Sequence, residues 1–410
     1  MDISIRPSVL RGKLDVPASK SCAHRSIICA ALAEGVSHIS GVTMSKDIEA
    51  TIGAMKALGA EFDINGGDIT VRGTGGRKAG KCVIDCNESG STLRFIIPVA
   101  AALGVETEFC GRGRLPQRPI GIYIRELGKN GAVFDYHDTM PFSVSGGLKS
   151  GVFNIEGDVS SQFITGLLFA LPLLDGRSEI VLTSHLESRP YVDITIDMLR
   201  RFGVSVEENE RGFSINGGQK YKACDIKTEG DYSQAAFFCV ANALGSEVEL
   251  HNLNENSVQG DKKILEIISE MCYNGNIGHF RADCSDIPDL VPVLAVLGAF
   301  GRGESVIYNA KRLKIKESDR LASTSAMLNA LGGDVSVTDD GLIIRPTNAM
   351  HGGTVDSCGD HRIVMAAAVA ALSISGEVII RGAEDVKKSY PAFFDDYKML
   401  GGIANVISME

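Results

Sequence analysis

The sequence predicts a two-domain α/β protein built from six copies of one unit, and three observations carry that expectation. Helix-like segments end repeatedly in an apolar residue followed closely by glycine, at Gly59, Gly131, Gly203, Gly275, Gly332 and Gly401. Glycine suits the left-handed turn that closes a helix. The successive separations are 72, 72, 72, 57 and 69 residues, so six units of about 70 residues tile the chain. Each unit also holds an earlier helix that is apolar nearly all round, the pattern of a buried helix. These are AHRSIICAALAEG, STLRFIIPVAAALG, SQFITGLLFALPLL, SQAAFFCVANALG, DLVPVLAVLGAF and RIVMAAAVAALSI. A length of 410 residues, at roughly 150 per domain, allows two to three domains.

The remaining elements follow in order. Short β-rich segments run between the helices: HISGV, DITVRG, KCVIDC, FSVSG, SEIVLTS, FSINGG, SVIYNA, LIIRP and EVIIRG. The second helix of each unit, such as DIEATIGAMKAL or YVDITIDMLRRF, keeps a polar face and belongs outside. Strand, buried helix, strand, surface helix and two strands make a βαβαββ unit. Three such units close around their own inner helices, giving two three-unit domains.

Composition narrows the function. Hydrophobic residues make up 44% and charged residues 22%, an ordinary globular balance. The 46 glycines predict many tight turns. The longest apolar run, Val291 to Phe300, is about half of what spans a bilayer. The opening MDISIRPSVLRGKL has no basic segment followed by an apolar stretch, so no signal peptide is expected and a cytoplasmic location is. Ten cysteines without a C-x-x-C pair read as free thiols in a reducing compartment. Eight histidines without H-x-H or H-E-x-x-H spacing give no expected metal site. Net charge is 41 − 51 = −10, which disfavours nucleic acid but leaves room for a small anion held by a local cluster of cations.

Familiar nucleotide and hydrolase signatures are missing. RGTGGR, Arg72 to Arg77, has neither dinucleotide-binding spacing nor a following helix. GRGR around Gly113 is no phosphate-binding P-loop, and no G-x-S-x-G elbow occurs.

The starts of the buried helices are more informative. They read PASKSCAHR (Lys20, Ser21, Arg25), NESGSTLR (Ser89, Gly90, Ser91, Arg94), DVSSQ (Ser160, Ser161, Gln162), GDYSQ (Asp231, Ser233), SDIPD (Asp286, Asp289) and CGDHR (Asp360, His361, Arg362). N-cap preference explains the Ser and Asp of any one of them. Six parallel instances carrying Lys, Arg, Gln and His point further, to positive helix ends converging on an anion. Surface-helix entries add Arg118 in LPQRP, Ser188 and Tyr191 in ESRPY, Lys316, Glu317 and Arg320 in KESDR, and Lys388 in KKSYP.

These motifs, with ESGSTLR, GRLPQRP, DVSSQF and ESRPYVD, stand in the order found in the 3-phosphoshikimate 1-carboxyvinyltransferases (5-enolpyruvylshikimate-3-phosphate synthases). They resemble that branch of the enolpyruvyl transferase family from Lys20 to Pro391. The resemblance implies a two-domain inside-out α/β barrel of six βαβαββ units, three per domain. It places residues 1–18 with 229–410 in a C-terminal-type domain, 19–228 in an N-terminal-type domain, and the active site in the cleft between them. The implied reaction moves the enolpyruvyl group of phosphoenolpyruvate to the 5-hydroxyl of shikimate-3-phosphate and releases phosphate, with no cofactor. It belongs to the shikimate pathway of aromatic amino acid biosynthesis, and a monomer is expected.

The resemblance also implies residue roles. Lys20, Ser21, Arg25, Ser160, Ser161, Gln162, Ser188, Tyr191, Asp289 and Lys316 fall to shikimate-3-phosphate. Lys20, Gly90, Arg118, Gln162, Arg320, Arg362 and Lys388 fall to phosphoenolpyruvate, with Gln162 bridging. Asp289 is the expected base for the 5-hydroxyl, Glu317 the expected proton donor at C3, and Lys20 a third catalytic group, with His361 and Arg94 as further candidates. Glyphosate takes the phosphoenolpyruvate position in this family, and Gly90 with VSSQFITGLL resembles its sensitive group. Glu88 departs from the usual Asn and needs a cation such as Arg94 beside it. The segment before Lys316 is longer than usual, so Asn309 receives no ligand role. The sister enzyme acting on a UDP-linked amino sugar, UDP-N-acetylglucosamine 1-carboxyvinyltransferase, has a reactive cysteine before its Arg-Pro pair. Here Cys110 lies eight residues before Arg118, and the VSSQ, KESDR and DHR forms differ from the sister's. A non-catalytic anion-binding scaffold would account for the helix starts but not for Asp289 and Glu317 among the cations.

Overall fold

Glycines at positive φ close the outer helices and set the repeat. The computed structural model describes residues 1–76, 80–273 and 276–408. Gly59, Gly131, Gly203, Gly332 and Gly401 all follow helix ends with φ between +78° and +103°, the left-handed conformation that a Cβ disfavours. Gly275 and Arg77 lie outside the described residues.

The chain divides into two compact units, Ala18–Glu229 and Met1–Pro17 with Gly230–Glu410. The first contains helices α1 (Lys20–Leu32), α2 (Lys46–Ala57), α3 (Gly90–Leu103), α4 (Gly121–Lys129), α5 (Ser161–Ala170) and α6 (Arg189–Arg201). Its three sheets share one plan. Cys82–Asp85 runs parallel to Thr107–Cys110, and the hairpin Ala132–Asp135 and Phe142–Gly146 continues the sheet antiparallel. Val152–Ile155 begins the second sheet in the same way. In the third, the parallel first strand is Ile226–Lys227, from the far end of the unit, beside Val36–Ser40. Every residue of α1 from Cys22 to Leu32 is buried, as is most of α3 and α5. Helices form the centre, and sheets lie outside it.

The second unit contains α7 (Tyr232–Ala243), α8 (Lys263–Met271), α9 (Val291–Ala299), α10 (Arg320–Ala330), α11 (His361–Ala370) and α12 (Phe393–Met399). Here the N-terminal strand Asp2–Arg6 sits between Ser375–Arg381 and Ile403–Ser408, completing one four-stranded sheet. Arg281–Asp283 begins another. The remaining repeat is abbreviated: among the described residues Arg11–Asp15 pairs only with Glu247–His251, and the hairpin Cys272–Tyr273 with Asn276–Ile277 stands apart. The short spacing after Gly275 falls at this hairpin. Helix α8 also ends at Met271, short of the expected Gly275, because Cys272 is already extended.

Inside α3, Pro98 lacks the N–H that would bond the Arg94 carbonyl. The Tyr123 hydroxyl replaces it, 2.8 Å from that carbonyl and 2.9 Å from the carbonyl of Phe163. Gly166 leaves the room, since a Cβ there would lie 2.3 Å from both the Arg94 carbonyl and the Tyr123 hydroxyl. Helices α3 and α5 therefore cross at a polar contact whose members are matched.

Two helix-closing glycines should separate backbone strain from crowding. A Cβ at Gly401 meets nothing nearer than 3.7 Å, whereas one at Gly332 would lie 2.2 Å from the Ala349 carbonyl. Gly401→Ala is expected to cost about 1 kcal/mol and Gly332→Ala about 2–4 kcal/mol, read from urea unfolding midpoints.

Candidate active site

In Ala18–Glu229 the helix starts are drawn together by side chains. Ser19 caps α1, and Lys20, its first residue, donates to Asp47 Oδ2 at 2.9 Å. Asp47 lies in the first turn of α2, which Ser45 caps. The line continues through buried hydroxyls. Thr51 Oγ1 is 2.8 Å from His24 Nδ1 and 2.7 Å from Thr92 Oγ1, and Thr92 donates to Ser89, the cap of α3, at 2.8 Å. Burial pushes the His24 pKa down to about 3, so its ring is neutral.

Arg25 spans α1 and α6. It donates to Thr195 Oγ1 at 2.8 Å, to the Ser21 carbonyl at 2.7 Å and to the Tyr191 carbonyl at 2.8 Å. Its guanidinium is thus held by its own chain, and burial lowers its pKa to about 10. Arg94 donates to Gln162 Oε1 at 2.8 Å and to the Pro119 carbonyl at 3.1 Å, while Gln162 Nε2 donates to Ser91 at 3.0 Å. The starts of α3 and α5 therefore adjoin. Burial, then the neighbouring Arg118, pushes the Arg94 pKa down to about 9, which leaves two like charges that an anion would offset. Arg118 follows the 3-10 turn Leu115–Gln117, and its guanidinium packs on Gly90, where a Cβ would lie 2.3 Å from Nη1. Ser160 caps α5, and Ser161 is buried beside it. Ser188 precedes α6 at φ +57° without using its side chain as a cap. Glu88 lies over Gly113, where a Cβ would meet its carboxylate at 2.7 Å.

The second unit gathers carboxylates and guanidinium groups. Asp360 caps α11 and accepts Arg320 Nε at 2.9 Å. Arg320, only 2% exposed, also donates to Asp289 Oδ1 at 2.9 Å and lies 3.4 Å from Glu317. Burial opposes its charge, but Asp360, Asp289 and Glu317 outweigh burial and raise its pKa. Arg362 donates to Asp289 Oδ2 at 2.8 Å, to the Asp289 carbonyl at 3.1 Å and to Ser233 at 3.1 Å. Asp289 thus holds one guanidinium on each oxygen. His361, buried, has Nδ1 3.1 Å from Glu317. Lys388 donates to the Gly359 carbonyl at 2.8 Å. Lys316 follows the 3-10 helix Lys311–Ile315, and Asn309 is turned to Asp283 at 2.9 Å.

One expectation fails. The start of α9 has no side-chain cap, because Asp289 lies within the 3-10 turn Pro288–Leu290 and spends its carboxylate on the two arginines. Sequence reading also missed the partners Asp47 and Thr195, and took Ser233 and Asp360 only as parts of helix starts. Each carries the ordinary signature of a first helical turn or a buried hydroxyl, so its partner becomes visible only in space.

Glu317, Asp360 and His361 bring three possible ligand atoms within 4.8 Å of one another, the one such group among the described residues. Arg320 already supplies positive charge there, bonded to Asp360 and close to Glu317.

Residues 5–397 match the family model described as EPSP synthase (3-phosphoshikimate 1-carboxyvinyltransferase). The chain belongs to this family. It is 44% identical to the 3-phosphoshikimate 1-carboxyvinyltransferase of Clostridium novyi, over 100% of this chain and 99% of the relative, and 45% identical to that of Clostridium kluyveri, over 98% and 97%. An EPSP synthase structure from Acinetobacter baumannii superposes with a TM-score of 0.84 at 26% identity over 100% of both chains. The enolpyruvyl transferase NikO of Streptomyces tendae, at 16% identity and a TM-score of 0.81 over 98% of each, shares the fold. The chain is a transferase of the enolpyruvyl type, and among the described residues no helix is long and apolar enough to cross a membrane.

Gly90→Ala should displace the Arg118 guanidinium. A shift of about 1 Å at such a group costs up to about 100-fold, so the KM for phosphoenolpyruvate should rise by about tenfold or more while that for shikimate-3-phosphate changes little. His24 generates a pH dependence of stability. Its folded pKa lies below the unfolded value, so the unfolded chain binds the proton first and stability is lost as pH falls from about 6.5 to 3. Urea unfolding should show up to about 1.4 kcal/mol lost per pH unit in that window, a component that His24→Asn removes.

Proposed function

We propose that this chain transfers the enolpyruvyl group of phosphoenolpyruvate to the 5-hydroxyl of shikimate-3-phosphate, with the residues gathered in its two units acting on that pair of anions. One observation carries the assignment of roles: Asp289 lies between Arg320 and Arg362, with Glu317 beside Arg320. That arrangement joins anion binding to acid–base chemistry, which a passive anion scaffold does not need.

In this reading Lys20, Ser21, Arg25, Ser160, Ser161, Gln162, Ser188, Tyr191 and Lys316 hold shikimate-3-phosphate. Lys20, Gly90, Arg118, Gln162, Arg320, Arg362 and Lys388 receive phosphoenolpyruvate. Arginines suit the task, because a planar fork matches phosphate and carboxylate oxygens in pairs. Glu317 gives a proton to C3 of phosphoenolpyruvate and Asp289 takes the proton of the 5-hydroxyl, whose oxygen bonds C2. The tetrahedral ketal then loses phosphate and a C3 proton. Guanidinium groups fixed beforehand by Asp360, Ser233 and Gln162 stabilise the developing charge without moving during the reaction. His361, with Nδ1 3.1 Å from Glu317, assists it. In this reading the chain acts as a monomer, and ten cysteines with no disulfide among them fit a reducing cytoplasm. Glyphosate should compete with phosphoenolpyruvate.

Phosphate release from shikimate-3-phosphate plus phosphoenolpyruvate is the direct test, with UDP-N-acetylglucosamine as control acceptor. Release with the first acceptor alone is expected, and release only with the second would overturn the reading. Asp289→Asn loses the base and keeps only one acceptor oxygen for the two arginines, so kcat should fall by about 10²–10⁴, with a smaller rise in the KM for phosphoenolpyruvate.

A further inference from the structure

Lys388 is held in a closed ring of contacts that reaches beyond the residues assigned to the substrates. Its Nζ donates to the Gly359 carbonyl at 2.8 Å. The Gly359 N–H donates to Ser357 Oγ at 3.2 Å, and that hydroxyl donates to Asp385 Oδ2 at 2.7 Å. Asp385 Oδ1 closes the ring, 3.4 Å from Lys388 Nζ. Ser357 is buried, and the Asp385 and Lys388 side chains are 20% and 15% exposed. Gly382, at φ +71°, makes room, since a Cβ there would lie 2.4 Å from Ser357 Oγ.

The ring adds a side-chain link between the turn before α11 and the 3-10 helix that packs on α11. Ser357 and Gly359 belong to the turn that leads to Asp360, the residue that caps α11 and holds Arg320. Asp385 and Lys388 lie on the 3-10 helix Ala383–Lys388, three residues apart and so on one face. A lysine on a flexible four-carbon stem is poorly held by one carbonyl. A carboxylate on the same turn, itself pinned by Ser357, supplies the second anchor.

We propose that Asp385 is a positioning residue of the transferase, and that with Ser357 it fixes the Lys388 ammonium at a set place over the turn that leads to Asp360. The proposal rests on the assignment of Lys388 to phosphoenolpyruvate. Asp385 touches no substrate in this scheme and acts through Lys388.

A double-mutant cycle of D385N and K388Q tests it, with KM for each substrate, kcat and the melting temperature measured for all four proteins. A partly exposed ion pair is modest in strength, so D385N should raise the KM for phosphoenolpyruvate by about 3- to 10-fold. The KM for shikimate-3-phosphate and the melting temperature should stay at wild-type values. In the K388Q background D385N should add nothing further. S357A, which removes another link, should move the same constant in the same direction and carries the test if D385N melts early. An unchanged KM for phosphoenolpyruvate, or an equal effect in the K388Q background, overturns the role of Asp385. If K388Q itself keeps wild-type kcat/KM, the assignment of Lys388 fails and the proposal with it. A crippled K388Q beside a wild-type-like D385N sinks the proposal alone.

Discussion

Burying Arg320 is the constraint on which the Met1–Pro17 and Gly230–Glu410 unit depends. A guanidinium removed from water costs several kcal/mol unless its partners are well placed. Asp360, Asp289 and Glu317 supply them. Asp360 is fixed in turn because it caps α11, and Asp289 because it stands in a tight turn ahead of α9. The cation, the helix start and the candidate base are therefore one mechanical object. Moving any of them exposes an uncompensated charge.

The other unit meets the same demand differently. Arg25 and Arg94 are buried chiefly against carbonyls, hydroxyls and an amide, with aromatic faces beneath them: Arg25 lies 5.3 Å from the centre of Phe95, and Arg94 5.0 Å from that of Phe163. Neutral partners hold a guanidinium in place without cancelling its charge, so the potential remains available to an anion. The carboxylate-rich cluster around Asp289 suits proton transfer, and the charge-retaining cluster around Arg94 suits binding.

The same economy governs the helix crossing at Pro98. A proline deprives Arg94 of its helical hydrogen bond, Tyr123 restores it, and Gly166 admits Tyr123. Because Arg94 is the residue whose carbonyl is repaired, the packing of α3 on α5 also sets the backbone from which Arg94 reaches Gln162.

The sequence by itself determined the repeat, the buried helices and the list of chemical groups at their starts. Helix closure and burial are written locally, in a glycine at each end and in apolar periodicity, so five of the described helix-closing glycines stand where the spacing placed them. The abbreviated repeat was legible only as a short interval, because a missing sheet connection leaves no local mark. Tertiary structure alone decided the partnerships: Asp47 with Lys20, Thr195 with Arg25, Ser233 with Arg362, and Asp289 with two arginines instead of a helix end. Residues 27 to 170 positions apart carry no signal of one another along the chain. Electrostatic pairing depends on distance in space, which only the folded backbone supplies.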